Sequence, residues 1–352
     1  MDHDDTTELV ARVREASARG IPLRIVGGDS KRFYGRAIDG AILPTTAHRG
    51  ILRHDPAELV ITARGGTPLA ELESQLATHG QRLPFEPPHF GTAATIGGTV
   101  ACGLAGPART SAGPVRDYVL GVRMLAGDGR VLRFGGEVMK NVAGYDLARL
   151  MAGSLGILGI VLDVSLKVLP QSAGERTLLH EIDEPGALQV LVDLARSGLP
   201  MTASAWTDGR LYLRFEGSDA TLDAVQRRVG GEPLSDAPDF WRGLREHRHP
   251  HFAGEKPLWR CMLPPVAPPL PLGAEPLIEW DGMQRWYHLD PGIEVFDTLA
   301  AAGGHATRFR HGPAGAESFA PLADPVMHLH RQLKRVFDPA GILNPGRMYS
   351  DL

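Results

Sequence analysis

Glycine dominates one stretch of this chain, residues 87–113, which reads PPHFGTAATIGGTVACGLAGPARTSAG. Threonine, alanine and serine separate its six glycines, which are Gly91, Gly97, Gly98, Gly103, Gly106 and Gly113. Because glycine has no Cβ and adopts positive φ without strain, such a backbone can turn its N–H groups toward a phosphate or a ring edge at close range. Taken alone, the stretch fits a ligand-binding loop and a pair of ordinary glycine turns equally well.

The length and composition are those of a large globular protein. With 352 residues, the chain is long enough for two or three domains and for a buried cofactor. Hydrophobic residues make up 43% and charged residues 22%, as in folded proteins rather than disordered or fibrous ones. The net charge of −4 provides no general attraction to a phosphate backbone, so we exclude nucleic acid as a partner.

Cysteine content and apolar patterning indicate the compartment. The chain has only Cys102 and Cys261, too few for a disulfide framework or for an iron–sulfur cluster held by this chain alone. The start MDHDDTTELV lacks the basic flank and apolar run of a secretory signal. The apolar run 150–169 is interrupted by glycines and contains Asp163 and Lys167, so no transmembrane segment is predicted. We expect a cytoplasmic protein, with any association with the inner face of the membrane made through partners.

Apolar patterning in the first half predicts strands that lead into glycine turns. Residues 23–26 form a short apolar run before Gly27-Gly28-Asp29-Ser30-Lys31, which is a strand followed by a loop suited to phosphate. The loop matches neither the dinucleotide fingerprint nor the Walker sequence. A second strand, 59–63, precedes a helix that we expect to begin at Thr67 and Pro68. A first helix is predicted after Asp5, a hairpin around 127–129 and a long strand over 160–168, with a domain boundary at Pro170.

The region after Pro170 has a different character. All five tryptophans lie there, and we interpret them as its core; the proline-rich residues 263–272 are predicted to be a stiff connector. We also expect this region and its connector to provide an interface with partners. Near the C-terminus a helix over 325–337 leads to Asn344, which lies in a stiff loop beside Pro345 and presents a side-chain amide.

Five motifs in order carry a resemblance to a known family. They are Gly27-Gly28-Asp29-Ser30, Thr95-Ile96-Gly97-Gly98, the KNVAGYDL sequence at 140–147, the GSLGILGI sequence at 153–160 and the DPAGILNPG sequence at 338–346. In this order they resemble the FAD-linked oxidases of the vanillyl-alcohol oxidase and p-cresol methylhydroxylase (PCMH) type, and within them the FAD-binding subunits of bacterial glycolate dehydrogenases. The resemblance covers roughly the first half of the chain and its C-terminal tail.

The resemblance implies a fold and a domain division. The fold class is α+β: a PCMH-type FAD-binding domain of two α/β subdomains over 1–170, a smaller α/β cap domain for substrate or partners over 171–312, and a C-terminal segment over 313–352 that returns to the flavin. The cofactor is FAD. The first loop and the Thr95–Gly98 segment cradle its pyrophosphate, the turn at 156–160 lies beside its adenine half, and Asn344 lies near its flavin ring.

Sixteen cofactor-binding residues follow from this resemblance. They are Gly27, Gly28, Asp29, Ser30, Lys31, Pro88, Thr92, Thr95, Ile96, Gly97, Gly98, Gly103, Gly156, Gly159, Ile160 and Asn344. A ring of backbone N–H groups can bind the two negative charges of a diphosphate, with Lys31 or Arg32 adding positive charge. Some relatives attach the flavin through a histidine in the first loop or a cysteine elsewhere. Because this loop has Asp29 and no histidine, we predict non-covalent FAD, with Cys102 a small residue in a tight turn.

The sequence assigns no catalytic residue. A metal-binding motif of the related catalytic subunits, which ends in G-N-x-H, is missing. His247, His249 and His251 would share one face of a strand and bind a metal, but a solvated loop is the favoured interpretation, and we predict no metal. Arg308, Arg310 and His311 are suited to a carboxylate substrate, with surface salt bridges as the alternative. Lys140 is a further cation whose role the sequence does not separate from folding.

Two functions remain open at this stage. In the first, the chain is an FAD-dependent oxidoreductase subunit that takes part in oxidising glycolate, a small 2-hydroxy acid, to glyoxylate, and its electrons leave to an iron–sulfur partner. In the second, it is a non-catalytic flavin-carrying relay or scaffold beside a catalytic homologue. Both imply a homologous flavoprotein subunit and an iron–sulfur subunit as partners. A nicotinamide dehydrogenase is discounted because the fingerprint loop is missing.

Overall fold

The computed structural model describes residues 2–136, 146–313 and 315–352. The chain divides into two compact units, the first made of the described parts of Met1–Leu104, Pro114–Pro170 and Ala314–Leu352, the second of Ala105–Gly113 and Gln171–Pro313. Lys140 and the rest of its motif up to residue 145 lie outside the described residues. No helix among the residues described has the length and apolar character needed to cross a bilayer.

The elements mix helices with mainly antiparallel sheets, which confirms the predicted α+β class. The helices are α1 Thr6–Arg19, α2 Leu69–Ala77, α3 Ile96–Cys102, α4 Arg109–Ala112, α5 Leu147–Leu150, α6 Glu184–Ala195, α7 Asp219–Val229, α8 Ala237–Arg245, α9 Val295–Ala301 and α10 Asp324–Phe337. The strands are β1 Leu23–Val26, β2 Ala41–Pro44, β3 Ile51–Asp55, β4 Val60–Arg64, β5 Gln81–Arg82, β6 Val119–Leu125, β7 Val131–Gly135, β8 Ile160–Lys167, β9 Leu169–Pro170, β10 Glu175–Glu181, β11 Met201–Thr207, β12 Arg210–Glu216, β13 Glu232–Pro233, β14 Leu258–Met262, β15 Leu277–Glu279, β16 Gln284–His288 and β17 His305–Arg310. Short 3-10 helices span Val115–Tyr118 and Pro250–Phe252.

The first unit is built around a five-stranded antiparallel sheet in the order β3-β4-β8-β6-β7. A separate parallel pair, β1 and β2, aligns Leu23 with Ala41. The predicted hairpin is present, because β6 and β7 pair on either side of residues 126–130. Leu9 and Val13 of α1 pack with Ile160 of β8, since the apolar stripe of the helix removes its surface from water there.

The residues that precede three helices differ from what the sequence predicted. Asp5 precedes α1 but makes no side-chain capping bond, and the N–H of Thr6 instead donates to Asp4 Oδ1. Thr67 does not cap α2, because its hydroxyl bonds the backbone of Gly50. The glycine-rich stretch was interpreted as a ligand-binding loop or ordinary turns, yet it contains the helix α3 with Thr95 as its N-cap.

The C-terminal segment returns to the first unit. The N–H of Leu23 in β1 donates to Ile342 O at 2.7 Å, and the N–H of Asn344 donates to Leu23 O at 3.0 Å. Residues 342–344 thereby add a short parallel connection to the edge of β1. Segments near the two ends of the chain therefore lie side by side and are joined by backbone hydrogen bonds.

The second unit carries an eight-stranded sheet in the order β13-β10-β12-β11-β15-β16-β14-β17. Its tryptophans are all buried, at 3–5% exposure, which confirms that they are core residues: Trp206, Trp241, Trp259, Trp280 and Trp286. Since their rings are enclosed, they form no interface surface. The prediction of a connector that is not a packed element was wrong in part, because Leu263, Ala267 and Leu272 pack into a core cluster and Arg285 donates to Pro268 O at 2.6 Å.

The histidine-rich segment is not a strand. His249 caps the 3-10 helix Pro250–Phe252, and the ring of His247 stacks on Phe252 at 3.9 Å between centroids. Proline at 250 cannot donate to a sheet ladder, in agreement with the favoured interpretation of a loop, but the three histidines are partly buried rather than solvated. Among the residues described, no three histidine, cysteine or acidic side chains are grouped as metal ligands.

Candidate functional site

A cavity in the first unit collects most of the residues predicted to bind the cofactor. It encloses about 870 Å³, part of it open to solvent. The predicted residues that line it are Gly27, Gly28, Asp29, Ser30, Lys31, Thr95, Gly97, Gly98, Gly156, Gly159, Ile160 and Asn344. Four motifs from distant parts of the sequence therefore share one wall.

Four predicted residues do not line this cavity. Ile96, the first residue of α3, is fully buried in the core, and Pro88 is buried as well. Thr92 is exposed, and Gly103 ends α3 in the left-handed conformation at φ 64°. Sequence neighbours of Ile96 and Gly103 line the cavity, whereas the residues on either side of Pro88 and Thr92 do not.

The first loop and the Thr95 segment touch so closely that only glycine fits between them. A Cβ on Gly27 would lie 2.5 Å from Thr95 Oγ1, and one on Gly28 would overlap the carbonyl oxygen of Ala93. Backbone atoms cannot rotate away as a long side chain can, so a side chain at position 28 must displace the loop. The bare backbone that the sequence indicated is therefore required by close packing of two chain segments.

The backbone N–H groups of the first loop and of the Thr95 segment differ in their hydrogen bonding. Within the described residues, the N–H groups of Gly28, Asp29 and Ser30 donate to no protein acceptor. In contrast, the N–H of Gly97 donates to Gly65 O at 2.8 Å, and that of Gly98 to Thr95 Oγ1 at 3.3 Å. Polar backbone groups normally find a partner, so the first loop is the segment whose amides suit an anionic ligand.

Charge at the cavity favours an anion. The cationic residues that line it are Arg24, Lys31, Arg32 and Arg347, against the single acid Asp29, which lies 3.5 Å from Arg24. Apolar side chains form other parts of the wall: Ile25, Val26, Ile38, Ala101, Leu155, Ile160 and Val161. A ligand with a negatively charged centre and flat apolar ends matches this lining.

Arg347 was missed by sequence reasoning, although it holds the first loop in place. Its guanidinium donates to Arg36 O at 2.9 Å, to Arg32 O at 2.9 Å and to Lys31 O at 3.3 Å. Burial lowers the pKa of Arg347 from its usual value. The signal available in the sequence was an arginine directly after the NPG turn, but the loop that it bonds lies more than three hundred residues away.

Asn344 is bound on both sides of its amide. Its Oδ1 accepts from the N–H of Ile25 at 2.8 Å, and its Nδ2 donates to Leu155 O at 2.7 Å. A Cβ on Gly156 would lie 2.7 Å from Asn344 Nδ2, so that turn also needs glycine. The side chain, expected from the sequence beside the flavin ring, lines the cavity while its amide joins β1 to the turn at 155–156.

Three residues other than glycine at the cavity have positive φ. They are Asp29 at 54°, Leu155 at 52° and Asn344 at 43°. This conformation is uncommon for a bulky residue such as Leu155, and such backbone strain concentrates at functional sites. Leu59, Glu86 and Phe90 of the same unit also have positive φ without lining the cavity, so such positions occur at the wall but are not confined to it.

Cys102 also lines the cavity, at the C-terminal end of α3. Burial raises the pKa of its thiol, against the opposing charges of Lys31 and Arg347. Cys261, in contrast, is fully buried in the second unit. The two thiols of the chain are therefore distinguishable by access.

The fold and sequence relate the chain to a solved structure and to two family models. A structure of alkyldihydroxyacetonephosphate synthase matches with a TM-score of 0.67 at 16% identity, over 97% of this chain and 74% of that one, which shows the fold. The family model of the FAD binding domain matches residues 3–135, and that of the FAD linked oxidases, C-terminal domain, matches residues 314–348.

The chain belongs to the FAD-linked oxidase family, and it is an FAD-dependent oxidoreductase. Over 350 residues it is 47% identical to glycolate oxidase subunit GlcE of Escherichia coli, and the alignment covers 99% of each chain. It is also 30% identical over 206 residues to D-lactate dehydrogenase of Archaeoglobus fulgidus, covering 56% of this chain and 44% of that protein.

Proposed function

We propose that this chain is the FAD-binding subunit of a glycolate dehydrogenase complex, which takes part in the oxidation of glycolate to glyoxylate. The observation that carries the proposal is the end-to-end similarity to a glycolate oxidase subunit, together with a cavity suited to FAD. Oxidation of a 2-hydroxy acid removes two electrons and two protons, and FAD supplies the two-electron acceptor when bound.

FAD fits the residues of the cavity in the first unit. Its diphosphate would be held by the N–H groups of Gly28, Asp29 and Ser30 and by the surrounding cations, and its apolar rings by the aliphatic wall. The Thr95–Gly98 segment would let its backbone lie close to FAD but would donate no hydrogen bonds from Gly97 and Gly98, because their N–H groups are already bonded within the protein. We retain the prediction that FAD is bound without a covalent link.

Protection of Cys102 tests this placement. In the FAD-free chain we expect iodoacetamide to label Cys102 at a rate that increases with pH, because only the thiolate reacts, and burial raises the pKa of the thiol so that the increase extends to higher pH. At an FAD concentration of 100 Kd, labelling should slow by about 100-fold, because only the ligand-free chain reacts. Intact-mass spectrometry in acid measures the label and also whether flavin stays attached.

Two internal controls accompany that measurement. Cys102→Ser should abolish labelling of the folded, FAD-free chain, and Cys261 should react only after unfolding because its side chain is enclosed. Labelling of Cys102 that is unaffected by saturating FAD would place FAD elsewhere. A mass increase equal to the flavin, surviving acid, would contradict the non-covalent prediction.

The remaining parts of the proposal concern the domains and partners. We assign FAD binding to residues 1–170 with the returning segment 313–352, and substrate or partner binding to 171–312. Because two cysteines cannot hold an iron–sulfur cluster, the cluster that receives the electrons must belong to a separate subunit. A homologous flavoprotein subunit completes the complex.

Anaerobic stopped-flow absorbance tests the reaction. The purified chain, loaded with FAD, is mixed with glycolate and then with lactate, and the visible flavin band is followed, with acetate as a control of equal charge that lacks the hydroxyl group. We expect glycolate to bleach the band and acetate to leave it unchanged. Bleaching by the isolated chain places substrate oxidation in this polypeptide.

The same measurement identifies the relay function. A flavin that stays oxidised until partner subunits are added would make the chain a relay or scaffold beside a catalytic homologue. A flavin that glycolate does not reduce even in the assembled complex would contradict the proposed activity.

A further inference from the structure

A buried ion pair lies directly behind two walls of the cavity. Lys334, in the last turns of α10, pairs with Asp338 at 2.7 Å between Nζ and Oδ2. The exposed fractions of the two residues are 7% and 1%. Neither residue lines the cavity, so the pair reaches a ligand there only through the backbone that it holds.

The three N–H groups of the Lys334 ammonium join separate parts of the wall. Besides Asp338, Nζ donates to Ile157 O at 2.9 Å and to Leu343 O at 2.6 Å. Ile157 follows Gly156, and Leu343 precedes Asn344, and both of these neighbours line the cavity. One ammonium thus fixes the distance between the turn at 155–159 and the C-terminal segment.

Asp338 completes the arrangement from the other side. Its Oδ1 accepts from the N–H of Ile342 at 3.1 Å, and its Oδ2 from the N–H of Leu343 at 2.8 Å. The carboxylate therefore shapes the turn that presents Asn344 to β1. Apolar residues often replace a buried ion pair without loss of stability. Stability alone therefore does not explain why both charged groups hydrogen-bond the backbone of the segments that form the cavity wall.

We propose that Lys334 and Asp338 are positioning residues of the cofactor site, which set the spacing between the turn at 155–159 and the segment at 342–344 that FAD requires. The inference rests on the proposed placement of FAD in this cavity. The ion pair acts from behind the wall and makes no contact with the ligand.

Three variants test the inference, with FAD affinity measured by flavin fluorescence and apoprotein stability by urea unfolding. Lys334→Met leaves the Asp338 carboxylate buried without its cation, so we expect a loss of stability. We also expect the Kd for FAD to rise by about 10- to 100-fold, as charged hydrogen bonds to the wall are lost. Arg335→Met, an equal change at an exposed position of the same helix, should alter neither quantity.

The double variant Lys334→Met/Asp338→Leu separates positioning from stability. Removing both charges should restore the part of the stability lost to an unpaired buried carboxylate, while the carbonyls of Ile157 and Leu343 and the N–H groups of Ile342 and Leu343 still lack their partners, so the Kd stays raised. If the affinity for FAD recovers together with stability, the pair has only a structural role and the inference is overturned. The visible spectrum of bound flavin gives a second comparison at saturating FAD.

Failure of the underlying placement is distinguishable from failure of this inference. If Gly28→Ala leaves the Kd for FAD unchanged, FAD does not lie against the first loop. If Gly28→Ala abolishes binding while Lys334→Met binds FAD like the unaltered chain, the placement stands and the positioning role is wrong.

Discussion

Gly28→Ala is expected to abolish FAD binding. The new Cβ would overlap the backbone carbonyl oxygen of Ala93, so the first loop must move away from the Thr95 segment. Displacement removes the N–H groups of Gly28, Asp29 and Ser30 from their common position, and three charge-assisted hydrogen bonds are worth more than about 100-fold in affinity. Fluorescence titration of the apoprotein with FAD measures the change.

Gly243→Ala is the matched control for that substitution. Gly243 lies in α8, its φ is not in the left-handed region, and a Cβ there would approach only His249 N, at 3.9 Å. Alanine also favours a helix over glycine, so this variant should fold and bind FAD normally. A Gly28→Ala protein that purifies with bound flavin at unchanged affinity would disprove the assignment of the first loop.

Asn344→Ala is expected to reduce the free energy of unfolding by about 2–6 kcal/mol, because one buried and one partly buried backbone group lose their partners. The groups are the N–H of Ile25 and the carbonyl of Leu155, and the φ of 43° at position 344 also suits asparagine better than alanine. Since whole domains are stable by only about 5–15 kcal/mol, the loss should be evident in urea unfolding of the apoprotein.

Two further variants define the cause of that loss. Asn344→Asp retains an acceptor for Ile25 but has no N–H for Leu155, so its stability should be lower than that of the unaltered chain. Gln332→Ala, at an exposed position of α10, should unfold at the same urea concentration as the unaltered chain. If Asn344→Ala matches Gln332→Ala, the amide does not hold the wall together.

Sequence reasoning located most of the cavity because glycine leaves a local signature. At Gly28 and Gly97 another backbone lies too close for a side chain, and at Gly27 and Gly156 the side chains of Thr95 and Asn344 do; such positions are visible as glycine motifs. The same reasoning missed Arg347 and Cys102, since their residue types do not reveal which distant loop they face. It placed Ile96 and Gly103 in the site by proximity in sequence, whereas the helix of α3 turns them away.

The amide of Asn344 shows the limit of a motif. Its position in a stiff turn was evident from the sequence, and the structure brings it to the cavity wall. Its hydrogen bonds, however, run to Ile25 and Leu155, which lie 319 and 189 residues away in the chain. No local pattern indicates such partners, because they depend on how β1 and the turn at 155 are packed.

By itself, the sequence determined the glycine positions, because missing side chains are visible as local motifs, and the resemblance of its five ordered motifs to a known family implied the α+β class and the FAD chemistry. Only the tertiary structure decided which amides stay available to a ligand, which cations surround it and which buried pair holds the wall behind it. Those properties arise from contacts between segments distant in sequence, where burial makes each hydrogen bond depend on its exact partner.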